Sequence, residues 1–269
     1  MAPRVNPVTL AHRDGSGPPL VLLHGFLDTW RTWELVLPAL ERRHDVLAPT
    51  LAGHAGGPPM EGEIGVGAIA DAVERSMDAA GLERANIAGN SLGGWVALQL
   101  AARGRAESVV ALAPVGGWAS RDESYKEVLR LQAEMHRQAR LAAPQAPTML
   151  ASQEGRRRAT QYLTVSFEHI PADLIAHLML GVASAPAALA LIEHAVTADW
   201  SLDADRIACP VRIVWGTDDR LLPWPEAAAR YREDWLPHAD WVVLDGVGHC
   251  PQLDVPAETA ALIQGHTLP

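Results

Sequence analysis

At 269 residues, 48% hydrophobic and 20% charged, the chain has the proportions of a globular protein with a large buried core and fits one α/β domain carrying an inserted subdomain. A formal net charge of −10 leaves no general basic surface, which argues against a nucleic-acid partner. The start lacks an apolar signal core and no stretch approaches membrane-spanning length, so a soluble, cytoplasmic protein without a membrane partner is expected.

Residues 8–13 form a short β-like run, closed by the turn signal DGSGPP at 14–19. Leu20-Val21-Leu22-Leu23 is a continuous apolar strand of the kind buried on both faces in a parallel sheet, and it runs directly into His24-Gly25-Phe26-Leu27-Asp28. Apolar residues at helical spacing predict a helix over 30–43, then a strand over 45–49 and a Gly- and Pro-rich loop to 59. A helix is predicted over 64–80, stopped by Gly81, followed by a strand at 85–88, a helix to about 103 and a strand at 108–112. This cadence means βαβ units and a mostly parallel sheet. From 116 to 200 the pattern turns helical, with helices predicted over 127–141, 155–168, 171–181 and 186–197 and a breaking loop at 142–147. Strands return at 211–215 and 240–244, with helices over 225–235 and 257–265. The expected organisation is a core of 1–115 and 201–269 with a helical lid, 116–200, inserted between its halves. Cys209 and Cys250 then fall at opposite ends of neighbouring strands, and both are expected as free thiols.

The chain is organised around NIAGNSLGG at 86–94. Within it, Gly89-Asn90-Ser91-Leu92-Gly93 reads as a G-x-S-x-G nucleophile elbow, with a strand before it and a helix after it. A serine on so sharp a turn is lifted clear of the sheet edge, and side chains two positions to either side would collide. The hydroxyl needs an imidazole to take its proton. Among 11 histidines, position selects His249 in DGVGHCP, which leaves the last strand at the ligand-binding edge of an open α/β sheet. His24 suits an oxyanion loop better, and His238 precedes its strand. His12, His44 and His266 have no supporting context, while His136, His169, His177 and His194 read as ordinary positions in the helical block. A carboxylate must orient the imidazole. Trp215-Gly216-Thr217-Asp218-Asp219 offers two adjacent candidates.

With HGF at 24–26, GNSLGG at 89–94, GTDDRLLP at 216–223 and GVGH at 246–249, the chain resembles the α/β-hydrolase superfamily over its whole length apart from the lid. The resemblance implies a mostly parallel twisted sheet with helices on both faces and the chain order Ser, Asp, His. It selects Asp219, three after the glycine, over Asp218, and implies an oxyanion hole made by the backbone N–H groups of Phe26 and Leu92. Gly53-His54 resembles the family's G-H-G segment, although Thr50 stands where an acidic residue is usual, and is read as structural.

The expected function is a serine hydrolase of carboxylic esters acting on a small to medium, largely apolar small molecule, with no cofactor and no metal. Leu27 and Leu222 are expected to touch substrate, and Trp118, Trp200, Met135, Met149 and Met179 are candidates for its pocket. Two alternatives stand beside it. One is a C–C bond hydrolase of vinylogous diketones, where an arginine of the run 156–158 would hold the substrate's carboxylate. The other is a non-catalytic binding module on the same fold. No short motif encodes the natural substrate or the oligomeric state.

Overall fold

In the computed structural model, which describes residues 8–268, seven strands form one sheet: β1 (Ala11–Gly15), β2 (Pro19–Leu23), β3 (Asp45–Pro49), β4 (Ala85–Asn90), β5 (Ala106–Leu112), β6 (Val211–Gly216) and β7 (Asp240–Leu244). Their order is β1-β3-β2-β4-β5-β6-β7. β1 runs antiparallel to β3 and every other pair is parallel. Alternation along the strands splits the core in two. Val21, Leu23, Ile87, Val109, Ala111, Ile213 and Trp215 face one side, and Leu20, Leu22, Val46, Ala88, Val110, Leu112 and Val214 face the other. Both faces are buried, which is why β2 reads as an unbroken apolar run and β5 and β6 are largely apolar.

The helices are α1 (Leu37–Leu40), α2 (Val66–Ala79), α3 (Leu92–Ala102), α4 (Tyr125–Ala142), α5 (Ala146–Leu150), α6 (Gln153–Thr160), α7 (Ala172–Ser184), α8 (Ala188–Thr197), α9 (Pro251–Asp254) and α10 (Pro256–Gln264). α4 to α8 form one block between β5 and β6, with α7 and α8 packed on α4. Among the described residues no single helix is long and apolar enough to cross a membrane. Cys209 precedes β6, Cys250 follows β7, and both are free thiols.

Four predicted segments differ, two because of prolines within them and two because of distant hydrogen-bond partners. The helix expected over 30–43 is a 3-10 turn, Trp30–Trp33, followed by α1, because Pro38 has no N–H to carry a helix through. The loop expected at 142–147 is a 3-10 turn and α5, with Pro144 and Pro147 both in first turns, where the missing donor costs nothing. The helix expected over 155–168 stops at Thr160 because the backbone beyond it bonds the loop after β7: the Val165 and Ser166 N–H groups donate to Asp254, and the Leu163 carbonyl accepts from the Cys250 N–H. The helix expected over 225–235 is a 3-10 turn, Glu226–Ala228, and a π-turn, Tyr231–Trp235; the Arg230 N–H between them is drawn off to the Gly117 carbonyl at 2.7 Å.

Candidate active site

Four loops leave the same edge of the sheet, after β2, β4, β6 and β7, and each carries one part of the site. At the end of β4, Ser91 has φ 54° and ψ −115°, a left-handed conformation that a serine adopts only where its surroundings impose it. Its N–H donates to the Leu112 carbonyl at 2.8 Å and its own carbonyl accepts the first helical bond from the Trp95 N–H at 3.1 Å, so strand and helix meet at this one residue. The flanking glycines are steric necessities. A Cβ on Gly89 would stand 2.2 Å from the Gly93 carbonyl oxygen, and one on Gly93 would stand 2.1 Å from that of Leu23. Leu92 is the first residue of α3, and a first-turn N–H has no partner within the helix.

After β6, Asp219 is buried while its neighbour Asp218 is exposed. Oδ1 of Asp219 accepts the Leu221 and Leu222 N–H groups at 2.9 and 2.8 Å, and Oδ2 accepts from His249 Nδ1 at 2.7 Å. With Nδ1–H committed to the carboxylate, Nε2 is the nitrogen of His249 left to accept a proton. Two buried polar side chains hold the histidine loop. Asn90, adjoining Ser91, donates through Nδ2 to the His249 carbonyl at 3.0 Å, while its Oδ1 accepts from Gln252 at 3.2 Å and the Cys250 thiol at 3.4 Å. Asp254 gathers three backbone N–H groups, those of Gly248 (2.7 Å), Val165 (2.9 Å) and Ser166 (2.7 Å), tying the loop to the helical block. Burial and the carboxylates of Asp28, Asp219 and Asp254 push the Cys250 thiol well above its ordinary pKa.

After β2, both nitrogens of His24 are occupied: Nδ1 donates to the Gly25 carbonyl at 2.7 Å and Nε2 accepts the Leu51 N–H at 2.9 Å. Burial, then the neighbouring His54, hold its pKa well below the ordinary value, so this imidazole is neutral and structural. His54 is pushed down to about 4 by burial, and its ring sits edge-on to His24 and Phe26 at 5.1 and 5.7 Å. His136, His169 and His177 of the helical block are each held by a hydrogen bond, and His238 is exposed.

Two adjoining cavities, of about 380 and about 70 Å³, share Phe26, Ser91, Gln132, Leu221 and His249 as walls. Leu27, Met135, Met149 and Met179 border the larger, and Leu92, Leu222 and Trp200 border the smaller. Trp118 packs on Tyr125 instead, with ring centroids 5.9 Å apart. Of the arginines at 156–158 only Arg158 borders the larger cavity, and its guanidinium bonds Glu154 at 2.7 Å. The sequence reading passed over one wall residue, Asp28, whose carboxyl burial pushes up from 3.8 to about 7 despite bonds from the Thr29 N–H and the Thr32 side chain. Its position two after Phe26 was the only signal. Among the described residues no group of three or more His, Cys, Asp or Glu is arranged to hold a metal ion.

A family model described as the alpha/beta hydrolase fold matches residues 18–256. The chain is 33% identical to "Epoxide hydrolase EphH" of Mycobacterium tuberculosis over 199 residues, covering 72% of this chain and 91% of that one. It is 30% identical to a pimeloyl-(acyl-carrier protein) methyl ester esterase of Aromatoleum aromaticum over 273 residues, 92% of this chain and 97% of that one. The solved structure of carboxylesterase CesB from Bacillus subtilis is alike in fold, with a TM-score of 0.72 at 18% identity over 97% of this chain and 89% of its own. The chain belongs to the α/β-hydrolase family.

Proposed function

We propose that the protein is a serine hydrolase cleaving carboxylic esters of small to medium, largely apolar substrates. One observation carries this reading: Ser91, held in a left-handed conformation at the elbow, borders the same cavity as His249, whose Nδ1 is bound by buried Asp219 at 2.7 Å. Ser91 Oγ attacks the ester carbonyl as His249 Nε2 takes its proton, and Asp219 stabilises the imidazolium. The N–H groups of Phe26 and Leu92 receive the oxyanion, each such donor being worth about 3–4 kcal/mol. Collapse expels the alcohol, protonated by His249, and leaves an acyl-enzyme. Water, deprotonated by the same histidine, then releases the acid. Leu27 and Leu222 form apolar walls to either side of the serine, and the block 116–200 serves as the lid. The methyl ester esterase among the relatives is consistent with this chemistry. The relative named an epoxide hydrolase points elsewhere, but the epoxide hydrolases that this fold resembles use an aspartate where Ser91 stands. C–C bond cleavage would need a cation directed at the substrate's carboxylate, and Arg158, the arginine at the cavity border, is exposed and turned onto Glu154, which it shares with Arg157.

The test is hydrolysis of p-nitrophenyl esters of graded acyl length by the parent protein and Ser91→Ala, with trapping of the acyl-enzyme. Turnover that falls to background in the variant is expected. An inert parent protein would refute the ester reading and direct attention to C–C substrates, and absent labelling would favour a binding module.

A further inference from the structure

We propose that Asp28 sets which substrates the larger cavity accepts: its carboxyl takes a hydrogen bond from a substrate hydroxyl, amide or ammonium group and turns away substrates bearing a carboxylate at that depth. The inference rests on the ester-hydrolase reading and adds a substrate class to it. Asp28 lies in the loop after β2, two residues beyond Phe26, and borders the cavity that Ser91 and His249 also border.

Its carboxyl is fixed in place. The Asp28 N–H closes a turn onto the Gly25 carbonyl at 3.3 Å, Oδ1 accepts the Thr29 N–H at 2.7 Å, and the Thr32 side chain donates a further bond. Thr32 is held in turn by Gln252 Nε2 at 3.2 Å, the same amide that reaches Asn90. A carboxylate has about four acceptor positions, so two bonds leave capacity toward the cavity. Asp28 is not the cap of the turn that follows it. The N-cap of the following 3-10 turn is Thr29, whose hydroxyl accepts the Arg31 N–H at 3.3 Å.

Among the described residues no cation is paired with the Asp28 carboxyl. Arg158, the one arginine or lysine among the described residues bordering this cavity, bonds Glu154. Arg31 on the adjacent turn bonds Glu34 at 2.6 Å. Glu134, also at the border, is paired with Arg137, and His249 is engaged by Asp219. From the loop after β7, Cys250 presents a neutral thiol. Burying a carboxyl among such neighbours is costly, and burial has raised its pKa to about 7. In the ionised form, which prevails above about pH 7, a donor on the substrate offsets that cost, whereas a second carboxylate adds like-charge repulsion to it, so the esters are compared at about pH 8. Met135, Met149, Leu178 and Met179 line much of the remaining wall, so the fitting substrate is an apolar chain carrying one donor.

The experiment compares kcat/KM for p-nitrophenyl alkanoates of six to eight carbons with their ω-hydroxy and ω-carboxy counterparts, and with a carboxylated nitrophenol as leaving group. In the parent protein the best carboxylate-bearing ester is expected to be at least about tenfold poorer than its uncharged partner. In Asp28→Asn that ratio should rise about tenfold or more, and in Asp28→Ala the preference for the hydroxy ester should also vanish. Asp28→Ser is a second variant that keeps a local acceptor should the others fold poorly. Unchanged ratios in the folded variants would overturn the proposal. Binding of hexane-1,6-diol and of adipate to Ser91→Ala, with and without Asp28→Asn, measured by calorimetry, separates this outcome from failure of the ester reading. The diol should bind more weakly and adipate more tightly once the carboxyl is gone, and no change in either would overturn the proposal even in a protein that hydrolyses no ester.

Discussion

Replacing Asp28 by asparagine is expected to make the fold steadily more stable, relative to the parent protein, as pH rises from about 4 to about 7. In the unfolded chain this carboxyl titrates near 3.8, and in the fold near 7. Between those values the folded state keeps a proton that the unfolded state has released, so its contribution to stability falls as pH rises. At about 1.36 kcal/mol per pH unit the cost accumulates to at most about 4 kcal/mol and stops growing above pH 7. An asparagine keeps the acceptor for the Thr29 N–H and does not titrate. The buried imidazoles His24 and His54 act in the opposite sense, but both proteins contain them and they cancel in the difference. Urea unfolding of the two proteins at four or five pH values gives that difference directly. A difference that stays flat within about 0.5 kcal/mol across the range would refute the claim that Asp28 is held in an environment hostile to its charge.

Other consequences are equally specific. Asp219→Asn should reduce kcat by about ten-thousandfold, since an amide no longer enforces the histidine tautomer, whereas exposed Asp218→Asn should leave kcat within about threefold; steady-state kinetics on one ester decides between the two adjacent carboxylates. Asp254→Ala strips the acceptor from the buried Gly248 N–H and from the part-buried N–H groups of Val165 and Ser166, and should cost about 2 kcal/mol or more in urea unfolding, with a fall in kcat because Gly248 adjoins His249. His54, held at about 4 against 6.5 when unfolded, keeps the fold from taking up a proton that the unfolded chain binds, so stability is lost as pH falls below 6.5, by up to about 3 kcal/mol. His54→Gln should flatten that acid limb, and thermal unfolding between about pH 4 and 7 would show it. An unaltered slope would mean that His54 titrates normally in the fold.

The parts of this protein that were legible in its sequence are those whose physics is local. β2 announces itself as an unbroken apolar run and β6 as a largely apolar one because both faces are buried, and the loops leaving β2, β4 and β6 carry glycines because backbone passes within van der Waals reach of backbone. The elbow is the clearest case: the Gly89 and Gly93 positions have no room for a Cβ, so the motif is the steric map written out in residues. The preference for Asp219 over Asp218 rests on a family spacing, while burial of the one and exposure of the other arise only in the fold. At 30–43 and 142–147 the differences follow from prolines within the segment, but at 155–168 and 225–235 the deciding partner lies far along the chain. Residues 161–168 have helical composition, yet their backbone groups are taken by a loop some 80 to 90 residues later.

The same reasoning explains why the roles of Asn90, Asp254 and Asp28 are not legible in the sequence, although Asn90 lies within the elbow motif and Asp28 two residues after Phe26. Asn90 and Asp254 act on main-chain groups, which every residue has, so no side-chain pattern marks the recipient. Yet they make a rigid unit of pieces that the sequence scatters. The histidine loop is fastened on one side to the nucleophile elbow through Asn90 and on the other to the helical block through Asp254 and the Cys250–Leu163 backbone bond. Asp28 is an unremarkable acidic residue until the helical block, arriving about a hundred residues later, walls the cavity that it borders. Its burial belongs to the fold and not to its neighbours in sequence. A strand, a glycine turn and a serine can be read one loop at a time, but the charge environment around that serine exists only once the block between β5 and β6 is in place.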